Sequence, residues 1–289
     1  MSFDAATIIR LLTTASLVGL LLAVGLRVTW VEVIDSIRKS HLGWILPINF
    51  VFVPVLALAL ARVMEVPTHI AAGMLLLAAA PFAPVVPTFA KMAQGNLALA
   101  AGLTALFPFL SAFLTPLVCE LSLQALPRTE SLRFNFFIIL FVLLVTITLP
   151  LAAGLAVNHW LPALGRRLLR PVEVASEVTG AISLAFVTVV EFQTIITTGW
   201  KPMIAMALVS EVSLFAGYAS SGPSTGVRRV VALGTSNRNI ALALLVAIDS
   251  FPRTPIVGAV VANGLLLIFL GLLHVAYWRF FALDASLAS

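Results

Sequence analysis

The chain has 289 residues, of which 61% are hydrophobic and 10% charged, and it carries a net charge of +5 with a mean hydropathy of +1.11. A soluble domain has roughly 25% charged residues, so this composition excludes an ordinary globular protein. The basic residues sit beside the ends of apolar runs, which is a topology signal, so nucleic acid is not an expected partner. A single cysteine, Cys119, excludes an internal disulfide and a thiolate metal cage. His41, His69, His159 and His274 form no pair at i, i+4, so neither a metal nor a cofactor is expected.

Nine apolar spans follow in chain order, at about 6–28, 43–64, 67–93, 97–124, 134–158, 173–198, 202–220, 229–249 and 255–280. Each is close to the ~20 residues needed to cross ~30 Å of hydrocarbon. The first lacks a small-residue cleavage site before a polar region and is read as a retained helix, not a signal peptide. The longest breaks, 29–42, 125–133 and 159–172, are short and partly charged. They predict one compact all-α polytopic membrane protein with no separate soluble domain.

Two spans do not read as simple helices. In the third, Pro81, Pro84 and Pro87 fall within seven residues. They remove three backbone donors and bias the preceding residues away from the α region. The eighth is interrupted at Leu233-Gly-Thr-Ser-Asn-Arg-Asn239, a polar stretch with a full positive charge inside an apolar run. An Arg at mid-membrane costs at least ~2.5–3.5 kcal/mol, and unwound backbone is tolerated there only where it is buried or lines a wet cavity. The candidate binding residues are therefore Gly234, Thr235, Ser236, Asn237, Arg238 and Asn239, with Pro84 and Pro87 from the other break. The same polar residues could instead hold helices together.

The remaining polar positions each carry two readings. Asn49, two residues after Pro47, is a candidate wall of the site. Thr104, Ser111 and Thr115 repeat at helical spacing in the fourth span, facing the site or bonding back to their own helix. Glu211 and Arg238 lie at matching depths of adjoining spans, which predicts an intramembrane ion pair, either a protonatable switch or a permanent structural contact. Glu191 faces an aqueous vestibule and couples protons, or it snorkels to the interface. No Ser–His–acid set, Asp-rich metal motif or H-E-x-x-H sequence is present, so an enzyme is not expected.

Ten basic residues, Arg27, Arg38, Lys39, Lys91, Arg166, Arg167, Arg170, Arg228, Arg229 and Arg279, fall on one side. The other side holds Arg10, Arg62, Arg128, Arg133, Lys201 and Arg253. The excess predicts a cytoplasmic C-terminus and an outside N-terminus, with Trp30, Trp44, Trp160, Trp200 and Trp278 in the interfacial belt. The expected location is a bacterial inner (plasma) membrane. Two broken spans in corresponding places suggest an inverted repeat whose broken helices cross near the midplane. The repeats would be residues 5–124, lacking a first helix, and 132–281, within one transporter domain spanning 1–289.

The runs Met74-Leu-Leu-Leu-Ala-Ala-Ala-Pro81, Ala93-Gln-Gly-Asn-Leu-Ala-Leu-Ala100 and Thr115-Pro116 resemble the third-to-fourth helix region of the bile acid:sodium symporter superfamily. Asn237-Arg-Asn-Ile-Ala-Leu-Ala243 is similar to its second crossing helix. The resemblance implies a ten-helix template with a core and a panel domain, here with nine helices. The panel would be spans one, five and six. It also implies sodium sites, but the positions that carry them read differently. A Glu and a Gln are replaced by Gly234 and Arg238, a Ser-Asn pair by Val86-Pro87, and a Ser by Ala100, with Thr104 nearby and Asn49 at a Gln-like position. At ~4 Å and intermediate dielectric one such charge opposes a cation by about 4 kcal/mol. The expectation is a secondary transporter of small organic anions that is not sodium-driven, with protons as possible co-substrate. The alternatives are a sodium-coupled organic-anion symporter and a non-transporting sensor or scaffold of the same fold.

Overall fold

The computed structural model describes residues 4–39, 41–127, 132 and 134–287, without the side chains of 37, 39 and 281–287. Arg128 and Arg133, and the side chain of Lys39, used above for topology, lie outside this description. Every regular element among the described residues is helical. They are α1 (Ala5–Arg27), α2 (Trp30–Lys39), α3 (Leu42–Val63), α4 (Thr68–Ala78), α5 (Val86–Met92), α6 (Leu97–Gln124) and α7 (Phe136–Trp160). There follow α8 (Pro162–Val190), α9 (Phe192–Ile196), α10 (Trp200–Ala219), α11 (Thr225–Ser236), α12 (Ile240–Ser250) and α13 (Ile256–Leu287).

Eight segments among the described residues are long and apolar enough to cross a membrane, counting α11 and α12 as one. The third expected span is the α4–α5 pair, whose two short helices flank the proline-rich break. Large apolar side chains such as Phe141, Val189 and Phe215 are exposed on the outer surface, where hydrocarbon is the favourable solvent. Trp30, Trp44, Trp160 and Trp200 are also exposed, each near a helix end.

Two of the expected breaks are helical. Residues 30–39 form α2, started by a capping box in which Thr29 N donates to Glu32 Oε2 at 2.8 Å and Glu32 N donates to Thr29 Oγ1 at 3.3 Å. Residues 162–170 belong to α8, because Pro162 stands at a first-turn position where its missing N–H costs nothing. Their arginines therefore do not mark a helix end.

Close helix approach comes from small residues, as expected where apolar surface alone gives no drive between helices. A Cβ on Gly25 would collide with Leu151 O, and one on Gly154 with Leu22 O, so α1 and α7 touch backbone to backbone. Along α1 and α8, Gly19 abuts Ser176 and Gly180 abuts Ser16. Thr13 Oγ1 and Ser183 Oγ share a 2.8 Å hydrogen bond, and Ser16 Oγ donates to Ser176 O at 3.0 Å. Helices α1, α7 and α8 thus form one group. The α11–α12 pair is wrapped by its neighbours and is largely buried.

Candidate functional site

The break after α4 runs through Ala79 to Val85, with Phe82 in the left-handed region at φ 56°. The second break is shorter than the sequence suggests. Helix α11 continues through Gly234, Thr235 and Ser236, and only Asn237–Asn239 leave the helical path. Pro87 likewise lies in the first turn of α5, so Pro81 and Pro84 alone sit in the irregular segment. The two breaks meet directly. Phe82 N donates to Gly234 O at 3.2 Å, Ala83 N to Asn237 O at 3.1 Å, and Asn239 N to Ala80 O at 2.7 Å. Each broken chain therefore supplies the backbone partners that the other lost, and buried groups of this kind demand them. Asn239 then caps α12, its Oδ1 accepting from Leu242 N at 3.0 Å.

Gly234 contributes space. A Cβ there would collide with the Phe82 ring, which stacks on Phe107 at 4.0 Å between centroids. Gly271 does the same for Asn237, whose Oδ1 would lie 2.8 Å from an added Cβ.

Arg238 is 3% exposed. Its Nη1 donates to Asn49 O at 3.2 Å and to Ala78 O at 3.1 Å. Both carbonyls are open for a local reason. In α3, residues 48–52 form a π-bulge in which Val53 N bonds Ile48 O. The next amide that could reach Asn49 O in that register belongs to Pro54, which has no N–H. Ala78 O would normally accept from residue 82, but Phe82 N is committed to Gly234 O. The guanidinium fills the resulting pair of acceptors. Its Nε and Nη2 have no protein partner. It also faces a chamber of about 10 Å³ among Ser210, Ser213, Ser236 and Asn263, a volume that suits one water.

Arg238 is also among the residues that line a cavity of about 470 Å³ between the crossing and the α1–α8 pair. The wall is mainly apolar. Of the residues expected at the site, Pro84, Asn237, Arg238 and Asn239 line it. Thr235 instead accepts from Asn49 Nδ2 at 3.2 Å, behind the crossing. Thr104 is fully buried and has no partner for its hydroxyl. Gly234, Ser236, Pro87, Asn49 and Thr104 are not among the cavity's lining residues; Asn49 reaches the site through its carbonyl, bonded to Arg238.

The expected Glu211–Arg238 ion pair does not form. Glu211 Oε2 lies 3.1 Å from His274 Nε2, and among the described residues no carboxylate lies within 4.0 Å of Arg238. Depth matched, but helix rotation points Glu211 towards α13. Glu191, at the α8–α9 junction, accepts from Thr194 Oγ1 at 3.1 Å and lines a separate pocket with Asp4 and Arg253. The polar cavity-lining residues that sequence reasoning passed over are Thr13, Ser16, Thr88, Glu177 and Ser183. Glu177 carried only a weak signal, because it stands five residues into the sixth span, where a carboxylate reads as an interfacial one. The hydroxyls carried none, since Ser and Thr are common in membrane helices.

A polytopic helical bundle with a solute-sized cavity at the meeting of two discontinuous helices has the architecture of a membrane carrier. The chain belongs to the sodium bile acid symporter family, whose family model matches residues 14–214. That family is one of membrane transporters. The match takes in the first break and ends before α11. No curated protein matches the chain.

Proposed function

We propose that this protein is a secondary transporter of small organic anions that needs no sodium ion. Substrate would occupy the cavity beside the crossing, with its anionic group on Arg238 and the N-terminus of α12, which carries partial positive charge. The observation that carries this reading is the Arg238 guanidinium. It is held by two backbone carbonyls, a group of acceptors suited to a metal cation, and its Nε and Nη2 are buried without a protein partner. A resident cation of this kind opposes binding of a mobile one and attracts an anion.

Alternating access would come from movement of α1, α7 and α8, the panel, against the remaining core helices. The reciprocal Gly19–Ser176 and Ser16–Gly180 contacts support the reading that α1 and α8 are related members of two repeats, within 5–124 and 132–281. The cavity supports transport over a sealed scaffold. A cytoplasmic C-terminus and a bacterial inner membrane remain parts of this proposal.

The test is a thermal-shift screen of the purified protein in potassium buffer. It uses the potassium salts of taurocholate, toluenesulfonate, benzoate and citrate, followed by uptake of the best binder into sodium-free proteoliposomes. Stabilisation and uptake without sodium are expected. Absence of any stabilisation by all four, or uptake only with sodium, would overturn the proposal.

A further inference from the structure

We infer that Glu177 is the coupling carboxylate of this carrier, taking up one proton as an organic anion binds at Arg238. The inference rests on the anion-transport reading above and adds the co-transported species to it.

The cavity of about 470 Å³ has two charged side chains in its wall, Arg238 from the crossing and Glu177 from α8. Glu177 is an exposed residue that lines this wall, and among the described residues no hydrogen bond or ion pair engages it. The other candidate carboxylates are engaged elsewhere. Glu211 faces His274 at 3.1 Å, Glu191 lines another pocket, and Asp249 holds Arg10 at 2.8 Å.

The surroundings of Glu177 leave its charge to the cavity. On α8 itself, Glu173 lies one turn away, about 6 Å by helical rise, and is paired with Arg27 and Arg170. The nearby α1 wall residues are Thr13, Ser16 and Leu20, and those of α13 are Leu267 and Ile268. The remaining charge of α1, Arg10, is on Asp249. In α7, His159 packs edge-on to Trp160. Arg238 is thus the charge that shares a chamber with Glu177, and the two sit on opposite moving parts.

With both ionised, the empty cavity is neutral. An anion on Arg238 would put a second negative charge in the same mainly apolar cavity, and like charges sharing a site favour protonation of one of them. One proton from water, bound on a Glu177 carboxylate oxygen, restores neutrality. It returns to water when the anion leaves on the other side. The result is electroneutral anion–proton symport.

The experiment is titration calorimetry of the full-length protein near neutral pH, in sodium-free buffers of different ionisation enthalpy, which counts protons taken up per anion bound. Taurocholate and toluenesulfonate are the probes, because sulfonates stay ionised throughout and any proton must go to the protein. About one proton per bound anion is expected for the wild type, and about none for Glu177→Gln, whose affinity should lose its pH dependence. Glu177→Asp should restore proton uptake, which a merely structural role would not require. Binding without proton uptake, or proton uptake persisting in Glu177→Gln, would overturn the inference while leaving the anion reading intact. The same count is made with benzoate, which is also ionised near neutral pH, and failure of the wild type to bind any of the four anions of the screen would overturn both.

Discussion

Arg238 and Asn49, separated by 189 positions in the chain, are joined by a 3.2 Å hydrogen bond from a guanidinium to a backbone carbonyl. That carbonyl is available because a π-bulge and Pro54 together deprive it of a helical donor. A defect in one helix thus helps to place a charge carried by another, and the proposed function rests on that charge.

Replacing Arg238 with Gln should remove organic-anion binding and destabilise the fold. The shorter amide cannot reach both Asn49 O and Ala78 O, and a buried carbonyl left without a donor costs ~1–3 kcal/mol. Thermal unfolding in detergent, with and without taurocholate, reads both effects. A variant that keeps its stability and its ligand shift would remove Arg238 from the site.

Pro54→Ala returns an N–H to α3 within reach of Asn49 O. The helix should be at least as stable, while Arg238 loses one of its two anchors. Binding of organic anions should weaken about fivefold, corresponding to ~1 kcal/mol of lost preorganisation. Calorimetric affinity together with a melting curve separates the two consequences.

Gly234→Ala forces a methyl group into the Phe82 ring. Overpacking of this kind costs ~1–3 kcal/mol, and the Phe82–Phe107 stack leaves little room to yield. Combined with Phe82→Leu, the two losses should be less than additive, because the double variant relieves the collision. A double-mutant cycle of melting temperatures measures this.

Glu211→Gln should leave anion affinity and its sodium dependence unchanged within about twofold, because the carboxylate faces His274 and not Arg238. Calorimetry of taurocholate binding to this variant is the check. A tenfold change would restore Glu211 to the site.

The broken helices were legible because three prolines, and an arginine in an apolar run, each violate a strong physical rule. Their boundaries were not. Gly234, Thr235 and Ser236 read as a polar break, yet they remain helical because intrahelical bonding tolerates small polar residues, and tertiary contact with Phe82 decides what Gly234 is for. The partners of Glu211 and Glu191 were hidden for a related reason. Depth can be counted from span ends, whereas rotation about a helix axis depends on packing that no single span encodes. Glu177 shows the converse: its carboxylate was visible in the sequence, and only the approach of α1 and α8 to the crossing reveals what it faces. The seams themselves, Gly25 with Gly154 and Gly19 with Ser176, look like any other small residues until two helices are brought together.

The most direct test of the central claim, that Arg238 stands where a mobile cation would otherwise be needed, is the affinity of the purified protein for taurocholate in sodium and in potassium buffer at equal ionic strength. The account predicts dissociation constants that agree within about twofold, since a fixed guanidinium leaves no linkage to sodium. Binding tighter by about tenfold in sodium would contradict it.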